Sequence, residues 1–203
     1  ENSVFDSILF RKCPTVRVYT SGNISYSLDL EDYTYKLLRG VDFYQFVQKE
    51  LAQNTNFQLL KDTVLHINDM GEEVEVETKE HGIITGAYVF DSSYQLPLDV
   101  PKRHYLKQHF KGYVVEMAQP VFDTKEPEMM NFAVEQLDGE CTFIYILPFS
   151  STTALVELTL FSPDLLTKER YVQVLEDYLA ARFSKVTYQI KEEEWGVIPM
   201  TDV

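Results

Sequence analysis

CTFIYILPFSSTTALVELTLFSP, residues 141–163, places two apolar runs, Thr142–Leu147 and Ala154–Phe161, on either side of the polar segment Pro148–Thr153. Each run is rich in β-branched and aromatic residues and has the length of a strand, so the stretch reads as an antiparallel hairpin. Side chains alternate along a strand. Glu157 therefore shares a face with Leu155, Thr159 and Phe161, while Ala154, Val156, Leu158 and Leu160 take the other. Neither face has a solvated composition. A carboxylate there is costly to bury and stays protonated to higher pH than usual. Glu157 is thus a candidate general acid, and equally a candidate ion-pair partner of Arg182 or Lys185.

The chain around this hairpin has 203 residues, 45% of them hydrophobic and 13% aromatic, and a net charge of −14. Lys and Arg are concentrated nowhere, which argues against nucleic acid binding by counterion release and against strong attachment to anionic lipid. No window reaches the length of an apolar membrane span. The opening residues ENSVFDS lack the basic-then-apolar pattern of a signal peptide. Cys13 and Cys141 form no metal or redox motif. They read as buried thiols of a reducing compartment, with a single disulfide as the other possibility.

Taken in order, Val16–Tyr19 and Ile24–Leu28 flank the turn cluster Ser21-Gly22-Asn23 and predict a hairpin. A helix is expected from Asp42, with Gln45 completing a capping box and Phe43, Phe46, Val47 and Leu51 on its apolar face. Three short strands follow, near Thr63–Ile67, Glu73–Thr78 and Ile83–Phe90. The middle one alternates, with Val74 and Val76 inward and Glu73, Glu75 and Glu77 on a solvated face. Phe90-Asp91-Ser92-Ser93 with Pro97 and Pro101 marks a boundary, dividing the chain into residues 1–91 and 92–203. Beyond it Lys107–Met117, Met129–Gln136 and the hairpin are strand-like. A helix is then expected over Lys168–Phe183, capped by Thr167 and buried through Tyr171, Val174, Leu175, Tyr178, Leu179 and Phe183. A last strand runs over Thr187–Ile198. The second half therefore reads as an α+β domain, a mostly antiparallel sheet with one covering helix.

Other chemistry is thinly signposted. His66, His81, His104 and His109 lack metal-ligand spacing, so no metal site is expected. No Gly-x-Ser-x-Gly elbow occurs, and Ser150-Ser151-Thr152-Thr153 reads as a hydroxyl-rich turn. The glycines form no phosphate-cradling loop. The acidic run ending at Glu194 reads mainly as a solvated strand face, turning apolar at Trp195-Gly196.

The segment FIYILPFSSTTALVELTLFS resembles the signature of flavin-dependent lycopene cyclases of the bacterial and plant type, in which Leu-Pro-Phe-Ser ends one strand and a Val/Leu-Glu-x-Thr strand follows. Leu155-Val156-Glu157-Leu158-Thr159 matches, with Leu158 where the family often has a second acid. The resemblance extends in order through Asp42-Phe43-Tyr44, Val89-Phe90-Asp91-Ser92, Gln108-x-Phe110-x-Gly112-Tyr113 and Pro120-Val121-Phe122-Asp123. It continues through Met130-Asn131-Phe132 to Glu194-x-Gly196-x-Ile198-Pro199-Met200.

The resemblance implies an enzyme that converts linear lycopene to β-ring carotenoid without net redox change. It implies either Glu157 or the reduced flavin as the acid, and Phe143, Tyr145, Phe149 and Phe161 as substrate-binding residues that stabilise a cation. It also implies reduced FAD, with NAD(P)H as reductant, and a cytoplasmic enzyme peripherally attached to the membrane. Residues 1–91 would then lie on the side of a Rossmann-type flavin domain and residues 92–203 would form the substrate domain. Because both glycine motifs of the FAD site are missing, the expectation is an internal portion of such a cyclase that neither binds FAD tightly nor turns over by itself. A related FAD-dependent hydroxylase or prenyl reductase and a non-catalytic lipid-binding module are the alternatives.

Overall fold

The computed structural model describes residues 4–93, 104–136 and 140–202. A short 3-10 helix, Val4–Ile8, precedes β1 (Arg11–Cys13), β2 (Thr15–Tyr19), β3 (Ser25–Asp29) and β4 (Tyr35–Leu37). Helix α1 (Gly40–Ala52) and strands β5 (Val64–Asp69), β6 (Val74–Thr78) and β7 (Gly82–Gly86) follow. The remainder comprises β8 (Tyr105–Met117), β9 (Glu128–Asn131), β10 (Cys141–Pro148), β11 (Thr153–Ser162), α2 (Lys168–Arg182) and β12 (Tyr188–Thr201).

Two compact units result, one of residues 1–40 with 100–203 and one of residues 41–99. The first is built on a seven-stranded sheet in the order β12-β8-β11-β10-β9-β2-β3. Its pairs are antiparallel except β2–β9. The sheet thus draws strands from both sides of the 91/92 boundary. Pro97 and Pro101, which helped to mark that boundary, lie outside the described residues. The mostly antiparallel sheet with a covering helix is as expected. A strand–helix–parallel strand unit of Rossmann type is not formed among the described residues, where α1 leads into the antiparallel sheet β5-β6-β7.

The hairpin forms in the register that its alternation requires, from Cys141 opposite Phe161 to Pro148 opposite Ala154. Its turn is closed by Phe149 N–H to the Thr153 carbonyl at 2.8 Å, and by Ser150 Oγ accepting from Thr153 N–H at 2.9 Å. One sheet face packs on α2. Ile144, Ile146, Val156, Leu158, Leu160, Val115 and Tyr113 meet Tyr171, Val174, Leu175, Tyr178 and Leu179 in the main core. Burying these side chains is the dominant favourable term for this unit. Thr167 caps α2, its side chain accepting from Arg170 N–H at 3.3 Å.

His109, fully buried on the α2 face, completes that core. Ser162 Oγ donates to the Asp164 carbonyl at 2.5 Å, so His109 Nε2–H donates to Ser162 Oγ at 2.6 Å. Nδ1 is left to accept from the Tyr171 hydroxyl at 2.5 Å. Burial, followed by the nearby Lys107 charge, lowers the imidazole pKa and favours this neutral tautomer. The histidine is structural.

Several local expectations are corrected. Helix α1 starts at Gly40, so Asp42 lies inside the first turn instead of at the cap, where it still favours the positive helix end. The expected strand over Met129–Gln136 is the shorter β9. Met130 adopts φ 49°, and the ladders on both sides of β9 skip a residue there, so a bulge ends the strand early. Strand β7 stops at Gly86 instead of Phe90. Glu75 and Glu77 are half-buried like Val74 and Val76, because β6 is the central strand of its sheet. Both cysteines are free thiols, but Cys141, the first residue of β10, is exposed.

Candidate active site

The second face of the seven-stranded sheet carries Glu157. Because α2 occupies the opposite face, this one presents the alternate side chains: Phe143, Tyr145 and Leu147 of β10, Leu155, Glu157, Thr159 and Phe161 of β11, and Phe110, Gly112 and Val114 of β8. Glu157 stands opposite Tyr145 on one side and Gly112 on the other. Thr159 Oγ1 donates to Glu157 Oε1 at 2.8 Å. In β12, Glu194 is the residue opposite Gly112. One transverse row therefore reads Tyr145, Glu157, Gly112, Glu194.

The glycine is essential to that row. A Cβ at position 112 would lie 2.7 Å from Glu194 Oε1, 2.8 Å from Glu194 Cγ and 3.0 Å from Leu155 Cδ1. Glu194 thus lies across the space that a side chain would fill, on the same sheet face as Glu157. The half-buried Glu157 carboxyl is pushed up to about 8, first by loss of water and then by the Glu194 carboxyl beside it, against a smaller opposing effect of Thr159. It holds its proton at neutral pH. Neither ion-pair candidate is paired with Glu157 among the described residues: Arg182 lies on α2 and binds Glu128 at 2.7 Å and the Tyr19 hydroxyl at 2.9 Å, and Lys185 lines the same cavity as Arg182.

The aromatic residues divide by position. Tyr145 adjoins the acid, and its phenol pKa is raised by burial and then by Glu157. Tyr35 of β4 is close enough to sense both groups. Phe143 is only 2% exposed, walled in by Phe132, Tyr145 and Phe161 with ring centroids 5.6, 5.1 and 6.0 Å away. Phe161 is half-buried on the acid's own strand. Phe149 belongs to the turn, edge-on to Phe10 at 5.6 Å, with its carbonyl accepting from Arg11 at 3.0 Å. By strand rise it sits about 13 Å along from Tyr145.

Sequence reasoning passed over Glu194 and Gly112 as partners of Glu157. The available signal was the pair of motifs ending in Gly112-Tyr113 and beginning at Glu194, but only the strand register joins them.

The described residues do not fit a flavin pyrophosphate. Gly71 and Gly82, the glycines with positive φ, lie beside the β5–β6–β7 turns. The α2 N-terminus is already capped by Thr167. No glycine-rich strand-to-helix loop occurs among the described residues.

Solved structures with the same fold include a geranylgeranyl bacteriochlorophyll reductase-like protein from Thermoplasma acidophilum. It is 11% identical, with a TM-score of 0.65 over 97% of this chain and 52% of that one. The flavin-dependent brominase Bmp2 is 13% identical, with a TM-score of 0.59 over 98% and 54% of the two chains. The halogenase PltM is 11% identical, with a TM-score of 0.59 over 93% and 43%. The chain thus spans about half the length of the structures it matches. No curated protein matches it in sequence. The family described as lycopene cyclase protein matches residues 3–203. The chain belongs to the lycopene cyclase family.

Proposed function

We propose that the whole protein cyclises the linear ends of lycopene to β-rings, with the Glu157 face of this chain meeting the substrate. The observation that carries this reading is a carboxyl group holding its proton at neutral pH on an apolar, aromatic sheet face. Protonating an isolated alkene needs an acid poised in a dry site, and a carboxylate tuned by burial supplies one. The Glu157 O–H bond breaks as a C–H bond forms at the terminal double bond, leaving a tertiary cation. The neighbouring double bond attacks it and closes the ring, and loss of a ring proton completes an isomerisation. Tyr145, next to the acid, and Phe161, on its strand, offer ring faces to the cation. Phe143 backs them, and Phe149 guides the polyene at the turn. FAD, with NAD(P)H as reductant, is what the family resemblance implies for the whole protein. Proton transfer from Glu157 and cation stabilisation by Tyr145 and Phe161 are the parts that this chain's own side chains supply.

Among the described residues no helix is long and apolar enough to cross a membrane. The proposed enzyme is cytoplasmic and draws its bilayer-dissolved carotenoid by peripheral contact with the membrane.

A second reading is supported by the solved structures of like fold, whose names are those of a reductase-like protein and of halogenating enzymes. On it, the whole protein performs flavin redox chemistry on a prenyl or polyene substrate. Expression of the whole protein and of Glu157→Gln in lycopene-accumulating cells distinguishes the two. Cyclisation gives a product isomeric with lycopene that is lost in the variant. Redox chemistry gives a product of different mass, with NAD(P)H or oxygen consumed in proportion. A non-catalytic lipid-binding module gives no product in either case.

A further inference from the structure

Side chains two strands apart in a sheet are separated by about 10 Å of backbone, with the residue between them normally in the way. Here that residue is Gly112, paired with Glu157 through β11 and with Glu194 through β12. The Glu194 carboxyl lies over it, 2.7 Å from where a Cβ would stand. Two carboxyl groups bond to each other only when one carries a proton. The partners are unequal, since Glu157 is half-buried in a central strand and Glu194 is exposed on the edge strand.

We infer that Glu157 and Glu194 share one proton across Gly112, and that Glu194 is the positioning residue that keeps Glu157 loaded and reloads it from solvent. This inference takes its chemistry from the cyclase reading. Donation breaks the Glu157 O–H bond and forms a substrate C–H bond, leaving the pair without its shared proton. Two like charges in contact bind a proton more tightly. The pair therefore recovers one, either the proton lost from the ring or one from water that reaches Glu194. The other groups facing Glu157 are the Thr159 hydroxyl on its own strand and Tyr145 of β10, with Tyr35 of β4 near enough to sense its charge. Glu192 stands one rung further along β12, opposite Val114. No Lys or Arg is paired with Glu157 among the described residues.

The test is an isotope-edited infrared titration of the whole protein, following the protonated carboxyl band that disappears in Glu157→Gln. Glu194→Gln keeps the shape of an exposed side chain, and Gly112→Ala displaces the end of a flexible one. Each is expected to move the Glu157 midpoint down by about 1 pH unit or more. The double variant is expected to move it no further than Glu194→Gln alone. In turnover, the alkaline limb of the pH profile shifts by the same amount and kcat falls while KM holds. A midpoint unmoved by both single changes, or additive shifts in the double variant, overturns the inference. The titration is independent of the reaction catalysed. Absence of ring product from the unaltered protein defeats the cyclase reading alone, and an unmoved midpoint defeats the shared proton alone.

Discussion

Glu157 keeps its proton because water is scarce around it and a second carboxyl stands where a cation would be needed to discharge it. That raised affinity has a consequence for stability whose sign follows from linkage. A carboxyl whose folded pKa lies above its ordinary value of 4.5 binds more protons folded than unfolded. Its contribution is complete below that ordinary value and is lost as pH rises through about 8. Urea unfolding across this window is expected to show stability falling with pH in the unaltered protein and a flatter profile in Glu157→Gln. Equal slopes would mean that the proton is not held in the folded state. At this scale the ill-placed carboxyl was legible in sequence, because strict alternation in β11 puts Glu157 on an otherwise apolar strand. Its partner was not. A bulge between Ile190 and Glu192 resets the phase of β12, so which residue of Glu192-Glu193-Glu194 faces Glu157 depends on a register that local sequence does not encode.

The hairpin and α2 are elements whose sequence signals agree with their packing. Thr167 supplies the cap, and the helical spacing of Tyr171, Val174, Leu175, Tyr178 and Leu179 is the spacing of its buried face. Thr167→Ala is expected to cost about 1 kcal/mol in chemical denaturation. Leu175→Ala, at 0% exposure, is expected to cost about 2–5 kcal/mol. If both cost the same few tenths, α2 does not carry the core. Where prediction of an element failed, a backbone conformation or a neighbour intervened. The left-handed Met130 leaves Asn131 buried, bonded to the Tyr178 hydroxyl and Glu128 at 3.0 Å each, and cuts β9 short. Such a bulge is specified by what packs behind the strand.

The whole molecule places two different surfaces on one sheet. The α2 face is a closed core that includes a neutral histidine, and the Glu157 face is apolar and aromatic at its centre, crossed there by the Tyr145–Glu157–Gly112–Glu194 row. The α+β class and the sheet's main antiparallel partners were readable from strand length and alternation. The long-range joining of β2 and β3 to β9, and the separation of residues 41–99 as a unit, depend on pairings far apart in sequence. The fold is shared with structures named as a reductase-like protein, a flavin-dependent brominase and a halogenase, so the choice of reaction rests on the acid row. The decisive measurement is the carotenoid product made by the whole protein and by its Glu157→Gln form in lycopene-accumulating cells. Cyclisation by the Glu157 acid predicts β-ring product isomeric with lycopene from the former, and a loss of about 100-fold or more in the variant at equal protein level. Unchanged ring formation in the variant would contradict it.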